Sequence, residues 1–222
     1  MTWIKICGNT SLGDAITAVD AGADALGFIF APSSRRIDPA AARAIISFVP
    51  RKVEKIGVFV NEAPERVAAI AADAGLDWVQ LHGDEDAGYA SRLRSELQGK
   101  ASSRVLKAIA VRPGVEKVVT EIIASGAFDG VLLDSPPAPQ ENRGGTGRVF
   151  DWNLVAEILP QASAKLKMVV GGGLTPLNAG DAVQKLRPWG VDVCSGVELA
   201  PGRKDTGKIK AFLRAVRGAE GT

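Results

Sequence analysis

Short runs rich in valine, isoleucine and leucine alternate along the chain with longer stretches whose apolar residues recur at helical spacing. A polar or glycine-bearing turn separates each pair. The short runs predict strands over 2–7, 25–30, 55–60, 78–82, 105–109, 130–134, 168–170 and 191–194. Helices are predicted near 11–21, 39–49, 64–74, 86–98, 114–125, 152–159, 176–186 and 206–217, several of them opened by proline or aspartate as helix starts prefer. Each strand and helix together take roughly 25 to 30 residues, the length of a βα unit, which implies a parallel sheet. Eight such units in 222 residues predict one α/β domain over 1–222, a closed (β/α)8 or TIM barrel. An open doubly wound sheet fits less well, because the first turn carries only Gly8 in place of a G-x-G-x-x-G fingerprint.

Strand parity adds chemistry to this outline. In the first strand Ile4 and Ile6 face one way while Trp3, Lys5 and Cys7 face the other. A lysine and a thiol turned inward are an unusual filling for a plain core. The same parity turns Gln80, Asp192 and Lys107 inward, so the interior is expected to hold a ligand or to pair charges beneath one. Functional residues of such barrels lie at the C-terminal ends of strands. Cys7, Asn61, His82, Asp134, the Gly171-Gly172-Gly173 run and Cys194-Ser195-Gly196 all fall there.

Composition mostly removes alternatives. The chain is 46% hydrophobic and 23% charged, and its net charge of +2 comes from interspersed signs. That pattern gives no general case for nucleic acid or for a membrane surface, so any anion site must be local. No apolar run approaches the roughly 18 residues that a membrane span requires. Two cysteines without a disulfide framework fit a reducing cytoplasm. The expected state is a monomer, with a homodimer as the alternative. His82 is the single histidine, which excludes a catalytic metal built on several histidines; no metal cluster and no G-x-S-x-G nucleophile motif is present.

The candidate site can be assembled from what remains. Gly171-Gly172-Gly173 after strand 7 and Ser195-Gly196 after strand 8 occupy the two loops with which barrels commonly bind phosphate, their bare backbone allowing N–H groups to approach the oxygens. A glycine-rich stretch, Gly144-Gly145-Thr146-Gly147-Arg148, lies in the long connection after strand 6 and reads as a lid or binding loop. Asp134 ends a buried apolar run and faces Cys7 across the mouth, an arrangement suited to an acid and base pair. Arg35 or Arg36, in the loop after strand 2, can clamp a carboxylate. His82 is expected to bond a neighbouring loop or the ligand, and Cys194 is expected to be core.

Across the whole chain, Lys5-Ile6-Cys7-Gly8, Gly57-Val58-Phe59-Val60-Asn61, Gln80-Leu81-His82-Gly83, Leu132-Leu133-Asp134, Gly144-Gly145-Thr146-Gly147 with Phe150-Asp151-Trp152, Gly172-Gly173-Leu174 and Asp192-Val193-Cys194-Ser195-Gly196-Val197-Glu198 resemble the phosphoribosylanthranilate isomerases. The resemblance implies an Amadori rearrangement in tryptophan biosynthesis that takes N-(5-phosphoribosyl)anthranilate to 1-(2-carboxyphenylamino)-1-deoxyribulose 5-phosphate, with no cofactor. It implies Asp134 as general acid, Cys7 as general base and Arg36 on the anthranilate carboxylate. Phosphate falls to Gly172, Gly173, Ser195 and Gly196, with His82 and Gly145 as further substrate contacts. Two rivals are carried forward: a histidine-pathway phosphoribosyl isomerase, whose relatives use two aspartates, and a barrel that binds a phosphate ligand without turning it over.

Overall fold

A computed structural model describes residues 1–101, 103–136 and 149–220. Its short apolar runs pair strictly in sequence: β1 (Trp3–Ile6), β2 (Ala25–Ile29), β3 (Glu54–Phe59), β4 (Trp78–Leu81), β5 (Arg104–Ala110), β6 (Gly130–Asp134), β7 (Lys167–Val170) and β8 (Gly190–Val193). They form a closed parallel barrel, and β1 completes the ring against β8 with Lys5 beside Asp192 and Ile6 beside Val193.

The outer ring is built by α1 (Leu12–Ala21), α2 (Pro39–Ile46), α3 (Pro64–Ala74), α4 (Ala87–Leu97), α5 (Val115–Ser125), α6 (Asn153–Ala156), α7 (Leu159–Ser163), α8 (Ala179–Leu186) and α9 (Thr206–Gly218). Starts follow local chemistry: Ser11, Asp38, Asp86 and Asp205 each accept a backbone N–H of the first turn, which satisfies a donor the helix itself leaves open. The expected helix over 152–159 is broken in two, because Pro160 at the start of α7 has no N–H to continue the ladder from α6. The helix expected from 176 begins only at Ala179; before it, the Asn178 side chain accepts from Thr175 N at 2.7 Å and donates to Gly173 O at 3.1 Å, holding a turn instead. A 3-10 turn (Ser195–Val197) and a small antiparallel hairpin, β9 (Glu198–Ala200) with β10 (Arg203–Lys204), follow β8 and were not expected from the pattern.

Two apolar layers result. Outward residues such as Ile4, Ile6, Val79, Leu81, Val131 and Val191 pack beneath the helices. Inward residues Ala25, Ile56, Trp78, Leu106, Ala108, Leu132 and Val169 fill the lower barrel, with Trp3 and Trp189 closing its N-terminal end. Lys5 and Gln80 are fully buried above them. Lys107 departs from the inward expectation. Leu106 and Ala108 take the interior positions of β5, so Lys107 faces out of the barrel, where its Nζ donates to Gly83 O at 2.8 Å and to Glu85 Oε2 at 2.9 Å.

Candidate active site

A cavity of about 330 Å³ opens at the C-terminal end of the barrel, and Cys7, His82, Asp134, Gly172, Gly173 and Ser195 share its wall. The Cys7 end is built by β1 and its turn. Cys7 N donates to Val193 O at 2.8 Å, and the buried Asn9 side chain donates to Ile6 O at 2.8 Å and to Gly27 O at 3.2 Å, tying the turn to both neighbouring strands. Gly27 makes the room. A Cβ there would lie 2.7 Å from Cys7 Sγ and 3.0 Å from Lys5 Cε, so the glycine lets both inward side chains pass.

The surroundings turn Cys7 towards its thiolate. A hydrogen bond from the Cys194 thiol lowers the Cys7 pKa well below its ordinary value; burial opposes this, and the positive charges of Lys5 and Lys204 add to the lowering. Cys194 moves the opposite way, raised by donating to Cys7 and by burial. Beneath them, Lys5 Nζ meets Asp192 Oδ1 at 3.0 Å. Burial works against the Lys5 charge, but Asp192 and Cys7 overcome it and hold the lysine above its usual range. Burial pushes Asp192 up to about 6 in spite of Lys5.

Across the cavity, Asp134 Oδ1 accepts Ser135 N–H at 2.7 Å, and Oδ2 lies 3.2 Å from His82 Nε2. His82 Nδ1 faces Gln80 Nε2 at 3.1 Å. With the Gln80 amide oriented this way its nitrogen donates, which leaves the ring proton on Nε2, pointed at Asp134. His82 therefore orients the carboxylate.

The two glycine loops meet at one corner. Gly172 and Gly173 have φ of +69° and +67°, and a Cβ on Gly172 would sit 2.4 Å from Ser135 Oγ and 3.0 Å from Asp134 Oδ1. Bare backbone thus runs beside the carboxylate. Gly196 is not part of the cavity wall; a Cβ on it would fall 1.9 Å from Leu174 O, so it serves to press the two loops together.

Glu198 anchors this end. Arg35 binds it through Nε at 2.9 Å and Nη2 at 2.8 Å, and Lys204 Nζ reaches Glu198 Oε1 at 2.9 Å and Cys194 O at 3.2 Å. Arg35 thereby lines the cavity while its charge is spent on Glu198, and Arg36 stands exposed outside the wall. Cys194 also departs from expectation. It lies half-exposed on the cavity wall instead of in the core, because the inward parity of β8 carries it to the barrel mouth. Gly145 lies outside the described residues.

Lys204 and Gly27 were missed by sequence reasoning. A glycine inside a strand is a known sign of close approach, so Gly27 was findable. Lys204 sits on the hairpin after β8 and carried no local signal. Among the described residues no group of His, Cys, Asp and Glu is placed to hold a metal ion, and no helix is long and apolar enough to cross a membrane.

Comparison with known proteins agrees with this geometry. The family model for N-(5'-phosphoribosyl)anthranilate (PRA) isomerase matches residues 4–215. The N-(5'-phosphoribosyl)anthranilate isomerase of Trichlorobacter lovleyi is 43% identical over 220 residues, covering 99% of this chain and 100% of that protein. The crystal structure of the phosphoribosyl anthranilate isomerase of Thermotoga maritima is similar at a TM-score of 0.83 and 38% identity, covering 98% of this chain and 100% of its own. A further solved structure, of a phosphoribosyl anthranilate isomerase in complex with reduced 1-(o-carboxyphenylamino)-1-deoxyribulose 5-phosphate, is similar at a TM-score of 0.81 and 37% identity, with 98% of this chain and 100% of that chain covered. The chain belongs to the N-(5'-phosphoribosyl)anthranilate isomerase family.

Proposed function

We propose that this enzyme isomerises N-(5-phosphoribosyl)anthranilate to 1-(2-carboxyphenylamino)-1-deoxyribulose 5-phosphate, with Asp134 as the acid and Cys7 as the base. The observation that carries the reading is the pairing, in one cavity, of a thiol held towards its thiolate with a carboxyl group on the opposite wall. The substrate's furanose places its ring oxygen and its C2′ hydrogen within one small ring. Two groups on opposite walls can therefore serve both without the sugar moving far.

Asp134, oriented by His82, gives its proton to the ring oxygen; the C1′–O bond breaks and the nitrogen lone pair forms a protonated Schiff base. The iminium acidifies C2′, and the Cys7 thiolate takes that proton, leaving an enolamine that tautomerises to the ketone. No electrons enter or leave, so no redox cofactor is called for. Each positioned proton transfer typically contributes about 10²–10⁴-fold.

The phosphate is assigned to the backbone of Gly172, Gly173 and Ser195, with Gly196 keeping the loops in register. Arg36 is assigned to the anthranilate carboxylate. Arg35 is committed to Glu198, whereas the exposed Arg36 has the reach of its side chain with which to close over the mouth. A histidine-pathway reaction would call for an aspartate where Cys7 follows β1, which disfavours that rival. The state of assembly is proposed as a monomer with a homodimer as the alternative; one solved relative is described as monomers generated from a dimeric isomerase.

The test is turnover of freshly formed N-(5-phosphoribosyl)anthranilate, followed by its fluorescence, with the histidine-pathway phosphoribosyl compound run in parallel. Loss of the anthranilate signal at a catalytic rate is expected. Binding of the substrate without any change would assign the barrel to ligand binding, and turnover of the other compound alone would assign it to the rival reaction.

A further inference from the structure

The isomerisation uses one thiol, yet the cavity holds two. The register of β1 against β8 ends with Ile6 beside Val193, and Cys7 N donates to Val193 O at 2.8 Å, so Cys7 and Cys194 directly follow the last paired positions and both line the same cavity. Adjacent strands lie roughly 4.8 Å apart. That spacing falls inside the roughly 4.4–6.8 Å between Cα atoms that a disulfide accepts. Both cysteines are free, and both border that cavity. Lys204 Nζ stands 4.0 Å from Cys194 Sγ and Lys5 lies below Cys7; although each lysine also pairs with a carboxylate, Glu198 or Asp192, both favour the anion on Cys7. Gly8, with φ +76°, follows Cys7 directly and gives the strand end freedom to adjust.

We propose that Cys7 and Cys194 form a hydroperoxide-responsive dithiol in which Cys7 is the attacked sulfur and Cys194 the resolving one. The Cys7 thiolate attacks the terminal oxygen of a hydroperoxide; an S–O bond forms, the O–O bond breaks, and the departing alkoxide or hydroxide takes a proton from solvent. The sulfur loses two electrons to the peroxide. Cys194 sulfur then attacks the Cys7 sulfenic acid; the S–S bond forms, the S–O bond breaks, and water leaves with the Cys194 proton. The disulfide stores the oxidised state reversibly and spares Cys7 from the sulfinic acid, which cellular thiols do not reduce.

Loss of turnover on oxidation rests on Cys7 being the base, whereas linkage of the two sulfurs does not, so both are measured. The protein is treated with hydrogen peroxide, quenched, and divided between intact mass, peptide mapping and turnover, each activity being referred to the same protein untreated. The wild type is expected to lose the mass of two hydrogens, to yield a linked Cys7–Cys194 peptide, to fall about 10-fold or more in turnover, and to return within about twofold after dithiothreitol. Cys194→Ser, checked for folding by circular dichroism, is expected to gain two oxygens on Cys7 and not to recover. Absence of the linked peptide in the wild type, or equal recovery of Cys194→Ser, overturns the dithiol. A linked peptide with undiminished turnover would leave the dithiol standing and overturn Cys7 as the base.

Discussion

At the scale of single residues, the proposed acid and base, Asp134 and Cys7, differ in what their environment does to them. Cys7 is pushed towards the anion by a hydrogen bond from Cys194 and by two cations; Asp134 is held in place by Ser135 and His82. Cys7→Ser and Asp134→Asn are each expected to lower kcat by at least about 100-fold while affinity for a product analogue stays within a few fold, since each removes a proton transfer and little binding. Retained turnover in Cys7→Ser would return the thiol to a packing role. The pH dependence has a definite sign. A lowered pKa means that the thiol loses its proton at a lower pH than an ordinary cysteine, so alkylation of Cys7 by iodoacetamide is expected to reach half its maximal rate below the roughly 8.5 of a free cysteine. A midpoint at or above that value would contradict the thiolate. Arg36→Met is expected chiefly to raise KM; an unchanged KM would hand the carboxylate to another group.

At the scale of elements, the corner where the two glycine loops meet depends on Glu198, which lies outside the cavity wall. Glu198, at the start of β9, joins the loop after β2 through Arg35, the hairpin through Gly202 and Lys204, and the loop after β8 through the same lysine. Burial alone would raise its pKa, but Arg35 and Lys204 overcome this and hold it below the usual carboxylate range. Glu198→Gln keeps the shape and leaves Lys204, whose side chain is 1% exposed, without its anion. A loss of roughly 3 kcal/mol is expected, as for a broken buried pair. For a domain of this size that corresponds to a fall in Tm on the order of 5–10 °C. A depressed carboxylate contributes stability above its unfolded pKa and loses it as pH falls through the folded one, so the gap between wild type and variant should narrow below about pH 4. A gap that is constant from neutral pH downward would remove the ion pairs from the account.

At the scale of the molecule, chemistry and closure occupy opposite ends of the barrel. The N-terminal end is plugged by Trp3, Trp78 and Trp189, with Glu54 accepting from Trp3 Nε1 at 3.0 Å and from Trp78 Nε1 at 2.9 Å, and with Arg104 lying 4.2 Å over the Trp78 ring. Trp78→Ala is expected to cost roughly 3–5 kcal/mol in urea unfolding, as for other buried aromatic truncations. Turnover per folded molecule should stay near the wild-type value, because the active end is separated from the plug by the layer of Lys5, Gln80 and Asp192. A collapse in kcat at unchanged folded fraction would show that the two ends are coupled.

Eight repeating units, the proline and aspartate starts of several helices, and the strand-end positions of Cys7, Asp134 and the two glycine loops were legible in the chain, because each depends on local propensity and on parity within one element. Parity misplaced Lys107, since which face of a strand is the interior is settled only by what the neighbouring strands place there, and Cys194, though turned inward as expected, lines the cavity instead of the core. Pro160 was visible, yet its effect depended on where the helix before it ended. Which arginine is engaged by Glu198, that Lys204 returns from a hairpin to Cys194, and that Cys7 and Cys194 share one cavity wall rest on contacts between residues distant in sequence. Pattern along a chain determines elements and the direction of their side chains; partner and charge state are decided where separate elements meet, and only the closed barrel brings them together.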